Sequence, residues 1–209
     1  MLYSDGPVGP RQGRSAGLPI PLALAATFDP ALAGEHGRVA ASEARDKGND
    51  VIFGPAVNIA RVPLAGRTYE NYGEDPFLQS RMVVPWIEAA QRTGVIADVK
   101  HFAANNQEGV DASAGLVTSQ TPVGAGLEGN RMLSNDIVDE RTLREIYLPH
   151  FEAAVREARV APSCAPTTGS TASTPARTTT SCSRSSAANG ASTVTSSPTT
   201  GRRTTRSRR

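Results

Sequence analysis

The sequence predicts an α/β fold, because short apolar segments typical of buried strands alternate with segments typical of helices. VIFGPAVNI at 51–59 is apolar and β-branched, and the apolar segment that starts at residue 95, VIADVK, has the same character. Strands separated by single helices pair in parallel through crossover connections. Polar clusters follow the strands, where α/β enzymes place their binding sites.

Local signals define the helices between these strands. The Asp-Pro pairs at 29–30 and 75–76 each place an N-cap residue before a proline at the first helical position. Gly48 and Gly94 are expected to end the two helices.

Two other segments lead to separate predictions. LPIPLALAAT at 18–27 is a short apolar run after a Gly/Pro-rich entry, which predicts a buried strand or the end of one. Asp139 is expected to cap a last helix with one apolar face. Pro149 should kink that helix, because its ring blocks a regular helical turn.

Composition divides the chain in two. Residues 1–157 hold all 20 acidic residues and 14 of the 22 Lys and Arg, a net charge of −6. Residues 158–209 hold eight arginines and both cysteines, with no acidic or aromatic residue. We therefore expect a partial domain at 1–160 and a disordered Ser/Thr/Arg-rich tail at 161–209. Without a signal peptide or an apolar run of membrane-spanning length, no membrane partner is expected and a cytoplasmic location is favoured.

Three polar clusters carry the candidate chemistry: SDGPVGPR at 4–11, GRTYENYGEDP at 66–76 and VKHFAANNQE at 99–108. Sugar hydroxyls both donate and accept hydrogen bonds, so a sugar site needs carboxylates to accept and Lys, Arg or His to donate. The clusters supply both kinds of group. None of them matches a metal-ligand set or a phosphate loop, so no metal or cofactor is expected.

Each cluster alone also has a structural interpretation. Arg67 and Glu70 can form a salt bridge within a loop. The Asp5 carboxylate in the DGP segment can instead accept a hydrogen bond from the backbone of its own turn and so stabilise that turn. The adjacent pair Lys100 and His101 is weak evidence for a site when it is taken by itself.

Taken together, the order and spacing of these segments resemble glycoside hydrolase family 3, the β-glucosidase and β-xylosidase group. The matching segments are DGPVGPR, PIPLALAATFD, NIARVPLAGRTYENYGEDPFL, VKHFAANNQE, NRM and VDERTLREIYLPHFEAAVREA, over about residues 4–158. The resemblance implies an N-terminal (β/α)8 (TIM-type) barrel domain and retaining hydrolysis of β-linked glycosides. Because such a barrel takes roughly 250 residues, a partial barrel is expected.

The resemblance also implies the residues that contact the substrate, a β-linked glucoside or related oligosaccharide. They are Asp5 of DGP, Arg67 of GR-x-x-E, Lys100 and His101 after the strand, and Arg131 of NRM. The KHFAANN form resembles the glucosidase/xylosidase branch, since the N-acetylglucosaminidase branch would show KHFPGHG. The segment 109–129, which precedes NRM, is longer than in close relatives, either as a genuine insertion or as a sequence fault.

The tail departs from the family pattern. Where the family has a strand V-M-C-A-Y-N-R-V-N-G, this chain has SCAPTTGSTA at 163–172, and codons for the family strand translated one base late give those ten residues. By the same decoding, residues 190–194 allow the family's W-G-F-D-G, and residues 198–199 allow its S-D. Thr199 thus stands at the position of the family's nucleophilic Asp. An out-of-frame tail is expected, from a sequencing error or a real frameshift.

Retaining glycosidases need a nucleophile and an acid/base about 5 Å apart. The resemblance places the acid/base beyond the barrel, so we expect this chain to be inactive and its intact parent to be a β-glucosidase-like hydrolase. A non-catalytic sugar-binding pseudoenzyme is the alternative. The segment 161–209 could also be a natural linker or a nucleic-acid-binding tail, but no nucleic acid is expected because the tail lacks aromatic residues for base stacking. The sequence leaves the oligomeric state and the sugar specificity open.

Overall fold

The computed structural model describes three stretches of the chain, residues 1–63, 65–106 and 137–160. Three strands, β1 (Tyr3–Asp5), β2 (Val51–Ala56) and β3 (Ile96–Lys100), form a parallel sheet in the order β1-β2-β3. The α/β class is therefore confirmed. Strand β1 overlaps the start of the segment 4–11, which the sequence marked only as a polar cluster, and its three residues are too few to produce a periodic pattern.

Two long helices connect neighbouring strands, α2 (Pro30–Asp46) between β1 and β2, and α3 (Pro76–Arg92) between β2 and β3. The Asp before each helix accepts a hydrogen bond from the backbone N–H two residues later, at 2.8 Å in both cases. Gly48 and Gly94 follow the helices with φ of +80° and +87°, a conformation that suits glycine. The predicted helix starts and stops are confirmed.

The predicted strand at 18–27 is wrong. The segment has no strand, and residues Pro21–Ala25 form a short helix, α1. Pro21 occupies the first helical position, where its missing N–H costs nothing, and the Ala and Leu that follow favour helix. A strand here would also lack the ladder N–H groups of Pro19 and Pro21.

Helices α2 and α3 pack closely through small residues. A Cβ atom on Gly37 would lie 2.3 Å from the carbonyl oxygen of Trp86, so only glycine allows this approach. Trp86 is fully buried, and its indole N–H donates to His36 Nδ1 at 3.0 Å. Burial lowers the pKa of His36, although its contact with the carbonyl of Pro19 acts in the other direction. The buried alanines of α2 belong to the same hydrophobic core as Trp86: Ala33, Ala40, Ala41 and Ala44.

The last helical segment is broken, as its proline predicts. Asp139 caps α4 (Glu140–Thr142) by accepting from the Thr142 N–H at 2.9 Å. A π-helical turn, Leu143–Tyr147, follows, and α5 (Pro149–Arg156) starts anew at the proline. Helix α5 packs on α3 and buries His150, Ala153 and Ala154.

Several predictions concern other parts of the chain. Arg131, Thr199, the segment 109–129 and the tail 161–209 lie outside the described residues. Among the helices that the structure describes, none has both the length and the apolar character needed to cross a membrane.

Candidate functional site

The site lies at the carboxyl edge of the parallel sheet, where β1 and β3 end. Asp5 is the last residue of β1 and Lys100 the last residue of β3. The Lys100 ammonium reaches past the end of β2 and forms an ion pair with Asp5 Oδ1. Parallel pairing thus brings together two residues that are 95 positions apart in the sequence.

A buried carboxylate, Glu70, holds the cations around this pair. It ends a single 3-10 turn, Thr68–Glu70, in the loop after β2, and it is 1% exposed. Its Oε2 accepts from Arg67 Nη2 at 2.5 Å and from Nε at 3.2 Å, while Oε1 accepts from Arg11 Nη2 at 2.9 Å. Arg11 also contacts Asp5 Oδ2 at 3.1 Å, which joins the two carboxylates. The loop salt bridge between Arg67 and Glu70 is therefore present within the same cluster.

His101 connects this cluster to a buried asparagine. Its Nε2 lies 3.4 Å from Arg67 Nη1, and its Nδ1 lies 2.8 Å from Asn58 Oδ1. Asn58 follows β2 and is 8% exposed. These groups border a small cavity whose lining includes Asn58, Ala65, Arg67, Glu70, Asn71, His101, Asn105 and Asn106.

The charges of the cluster set its proton chemistry. Burial opposes ionisation of Asp5, but Lys100, followed by Arg11, outweighs burial and holds the pKa of Asp5 below its usual value. Burial likewise opposes ionisation of Glu70, and Arg67 lowers the pKa of Glu70 in spite of it. Burial lowers the pKa of Lys100, against the attraction of Asp5. Both carboxyl groups are thus acceptors at neutral pH and poorly suited to donate protons.

Four of the five residues singled out from the sequence lie in one connected network: Asp5, Arg67, Lys100 and His101. The fifth, Arg131, is outside the described residues. Sequence reasoning did not assign a site role to Arg11, Glu70 or Asn58. Arg11 and Glu70 fall inside the polar clusters, but their contacts across more than fifty residues have no local sequence signal.

No metal site is evident in this part of the chain. Within the described stretches, no group of three or more His, Cys, Asp or Glu side chains is arranged to hold a metal ion. The cluster instead combines two carboxylates with lysine, arginine and histidine. Such a set can form directed hydrogen bonds with a polyhydroxyl ligand.

Comparison with known proteins gives consistent results. A sequence model of the family described as "Glycosyl hydrolase family 3 N terminal domain" matches residues 4–177. A beta-glucosidase from Rhizobium radiobacter is 42% identical over 167 residues, which cover 77% of this chain and 18% of the relative.

Solved structures show the same similarity. The crystal structure of DesR, a beta-glucosidase from Streptomyces venezuelae in complex with D-glucose, matches with 39% identity and a TM-score of 0.63, over 75% of this chain and 18% of that one. Beta-glucosidase 3B from Thermotoga neapolitana in complex with glucose matches with 37% identity and a TM-score of 0.63, over 75% and 20% of the respective chains.

This chain spans about a fifth of the length of these relatives, from 18% to 20%. The matched residues contain the sheet except for its first residue, Tyr3, together with both long helices and the charged cluster at the strand ends. The chain belongs to glycosyl hydrolase family 3 and carries sequence of its N-terminal domain.

Proposed function

We propose that this chain carries the sugar-contacting part of a β-glucosidase-like hydrolase that acts on O-glycosyl bonds. The observation that carries the proposal is the convergence of Asp5, Arg67, Lys100 and His101 at one edge of the sheet. Similar proteins are beta-glucosidases, and two of their structures contain glucose. The substrate class is a β-linked glucoside or a related oligosaccharide.

The chemistry of the cluster suits a neutral sugar. Lys100 and Arg67 supply N–H donors, while the ionised Asp5 supplies acceptors. Ion pairing holds these side chains in place before a ligand arrives, which reduces the entropy lost on binding. We propose that Arg131 joins this set, as the family resemblance implies.

The three-stranded sheet is proposed to be part of a (β/α)8 barrel. Its strands are parallel, neighbouring strands are consecutive in the chain, and a long helix connects each pair. These are the features of the repeating unit of that barrel, whose sites lie at the carboxyl ends of the strands.

We further propose that the 209-residue chain does not itself hydrolyse glycosides. Thr199 stands at the position that the family gives to its nucleophile. Asp5 and Glu70 are held by cations and have lowered pKa values, whereas a catalytic acid needs a raised one. Sugar contact without a nucleophile also fits a pseudoenzyme, which is the second candidate function.

The test compares this chain with the product of the parent gene, in which the reading frame is restored after residue 158 and read on to its stop codon, so that both the nucleophile and the acid/base region are present. The restored protein should hydrolyse nitrophenyl β-glucoside with retention, and this chain should bind glucose without turnover. Lys100→Met should weaken glucose binding about tenfold or more, because hydrogen bonds to charged groups contribute about 1.5–3 kcal/mol. The matched control is Lys47→Met, since the Lys47 ammonium donates to the Arg14 carbonyl, outside the charged cluster.

Two results would contradict the proposal. Turnover by the unrestored chain would show that Thr199 does not mark a lost nucleophile. Failure of the restored protein to hydrolyse any β-glucoside would remove the hydrolase assignment. Resequencing the codons for residues 155–165 separates the two candidates: an extra or missing base supports a broken hydrolase gene, and an intact frame supports the pseudoenzyme.

A further inference from the structure

We infer that Asn58 is a positioning residue that keeps the proton of the His101 ring on Nδ1, so that Nε2 serves as a hydrogen-bond acceptor in the site. The inference rests on the proposed sugar site and deepens it, because it specifies what His101 offers a ligand. The sequence alone grouped histidine with the donors. The contacts of Asn58 instead make Nε2 of His101 a hydrogen-bond acceptor.

The orientation of the Asn58 amide follows from its backbone partners. Its Oδ1 accepts from the His101 backbone N–H at 3.2 Å, and its Nδ2 donates to the Asn105 carbonyl at 2.5 Å. A backbone N–H can only donate and a carbonyl can only accept, so exchanging the oxygen and nitrogen of the amide would break both bonds. The oxygen of Asn58 therefore faces His101.

The backbone of Asn58 is also held on both sides. Its N–H donates to Asn71 Oδ1 at 2.9 Å, and its carbonyl accepts from Gln79 Nε2 at 3.2 Å. Both partners are buried, with Gln79 at 0% exposure. These hydrogen bonds hold Asn58 in place, so its side chain can fix the orientation of the His101 ring.

Two independent contacts then select the same tautomer. Asn58 Oδ1, 2.8 Å from His101 Nδ1, is an acceptor, so Nδ1 must carry the proton. Arg67 Nη1, 3.4 Å from Nε2, has only protons to offer, so Nε2 must present its lone pair. A proton on Nε2 would face a guanidinium group.

This tautomer changes what the site recognises. Lys100 and Arg67 donate, Asp5 accepts, and His101 accepts through Nε2. A hydroxyl that displaces the 3.4 Å contact of Arg67 Nη1 can donate to the single lone pair of Nε2 while it accepts from a cation, whereas a fluorine substituent has no proton to give. His101 therefore favours a sugar hydroxyl over a deoxyfluoro group at the position that it contacts.

The test reads the ring nitrogens directly by ¹⁵N NMR of the full 209-residue chain with labelled histidine, at about pH 8, above the ordinary histidine pKa of about 6.5. The chain has three histidines, and a His101→Gln spectrum identifies the signals of His101. We expect a protonated Nδ1 and an unprotonated Nε2. Asn58→Leu should shift the ring toward the Nε2-protonated tautomer, and Asn58→Asp, which keeps an acceptor, should retain the Nδ1 proton.

The matched control is Asn106→Leu. Asn106 lies in the same loop as His101 and donates to the Ile59 carbonyl at 2.6 Å, a hydrogen bond that does not involve the His101 ring. Its replacement should leave the tautomer unchanged. If Asn106→Leu moved the tautomer as much as Asn58→Leu, the role of Asn58 would be general support of the loop, and the inference would be overturned.

Other outcomes separate this inference from the proposed function. An unsubstituted chain with a protonated Nε2, or with the mixed tautomers of a free imidazole, would overturn the assignment to Asn58. An Asn58-dependent Nδ1 proton in a chain that does not bind glucose would contradict the sugar site alone and support the positioning role. Glucose should move the Nε2 signal in the unsubstituted chain and leave Nδ1 protonated.

Discussion

The interface between α2 and α3 and the charged cluster at the strand ends each enclose a buried side chain, Trp86 and Glu70, but they are built from opposite kinds of residue. The helix interface brings Gly37 against the backbone of Trp86, and the buried alanines of α2 belong to the same hydrophobic core. The cluster encloses Glu70, which is 1% exposed, among arginines. Shape fit stabilises the first region, whereas pairing of charges offsets the cost of burial in the second.

The difference predicts how each region responds to change. A packed interface tolerates little added volume, because Gly37 already lies against the backbone of Trp86. A buried ionic cluster is strongly destabilised when one charged side chain is removed, because its partner is then a buried charge without an opposite charge. The changes in unfolding free energy expected below run from the largest to the smallest.

Removing the charge of Glu70 should have the largest effect. Glu70→Gln puts an amide against two guanidinium groups, and loss of a buried partner costs about 3–5 kcal/mol. We expect a loss of unfolding free energy near the lower end, about 3 kcal/mol, because water reaches Arg11. Urea unfolding of the two proteins measures this loss of unfolding free energy.

Glu35→Gln is the matched control for that substitution. Arg38 and Glu35 form an ion pair at 2.9 Å with the same three-residue spacing as Arg67 and Glu70, but Glu35 is 64% exposed. Its loss should change stability by less than about 0.5 kcal/mol. Equal effects of the two substitutions would show that burial of Glu70 is irrelevant to its contribution.

Acid should weaken the helix packing through His150. Burial lowers the pKa of His150 to about 4, from about 6.5 in an unfolded chain. The unfolded state therefore binds the proton first, and the stabilisation present above pH 6.5 is lost as pH falls from about 6.5 to about 4, by about 3 kcal/mol.

The check is urea unfolding of the chain and of His150→Leu across this pH range. The substitution should flatten the dependence, and the remaining slope should come from His36 and, near pH 4, from Asp5 and Glu70, whose pKa values are also lowered. Parallel curves for the two proteins would contradict the assignment to His150.

Adding one methyl group to α2 should have a smaller effect that depends on position. Gly37→Ala places Cβ 2.3 Å from the Trp86 carbonyl oxygen and should cost about 1–3 kcal/mol as the helices separate. Gly34→Ala places Cβ at 3.6 Å from the Pro85 carbonyl, an ordinary contact, and should stabilise by up to about 1 kcal/mol through helix propensity. The fluorescence of Trp86, the single tryptophan, follows the unfolding of both variants. A destabilised Gly34→Ala variant would contradict the expected difference between the two positions.

The sequence predicts the helices well because their signals are local. Asp29 and Asp75 sit directly before prolines, and the backbone N–H groups that they cap are two residues away. The segment 18–27 misleads because its apolar content fits a strand or a helix equally, and Pro21 resolves the ambiguity only through its position at the helix start. Such a choice depends on tertiary neighbours.

The site divides in the same way. Asp5, Arg67, Lys100 and His101 stand in recognisable motifs, and the structure brings them together. Asn58 stands in one of those motifs too, but its importance comes from a partner 43 residues later in the chain. A buried asparagine has no periodic or capping signature, so the fold must be known before its role can be inferred.

The network of Asp5, Glu70, Arg11, Arg67 and Lys100 has a consequence for ionic strength. Each of these five charges is paired with an opposite charge within the protein. Binding of an uncharged ligand therefore displaces water and does not release counterions. Salt screens interactions between separated, hydrated charges far more than those within a compact, partly buried group. Affinity for a neutral sugar at this edge of the sheet should therefore stay nearly constant from dilute buffer to concentrated salt.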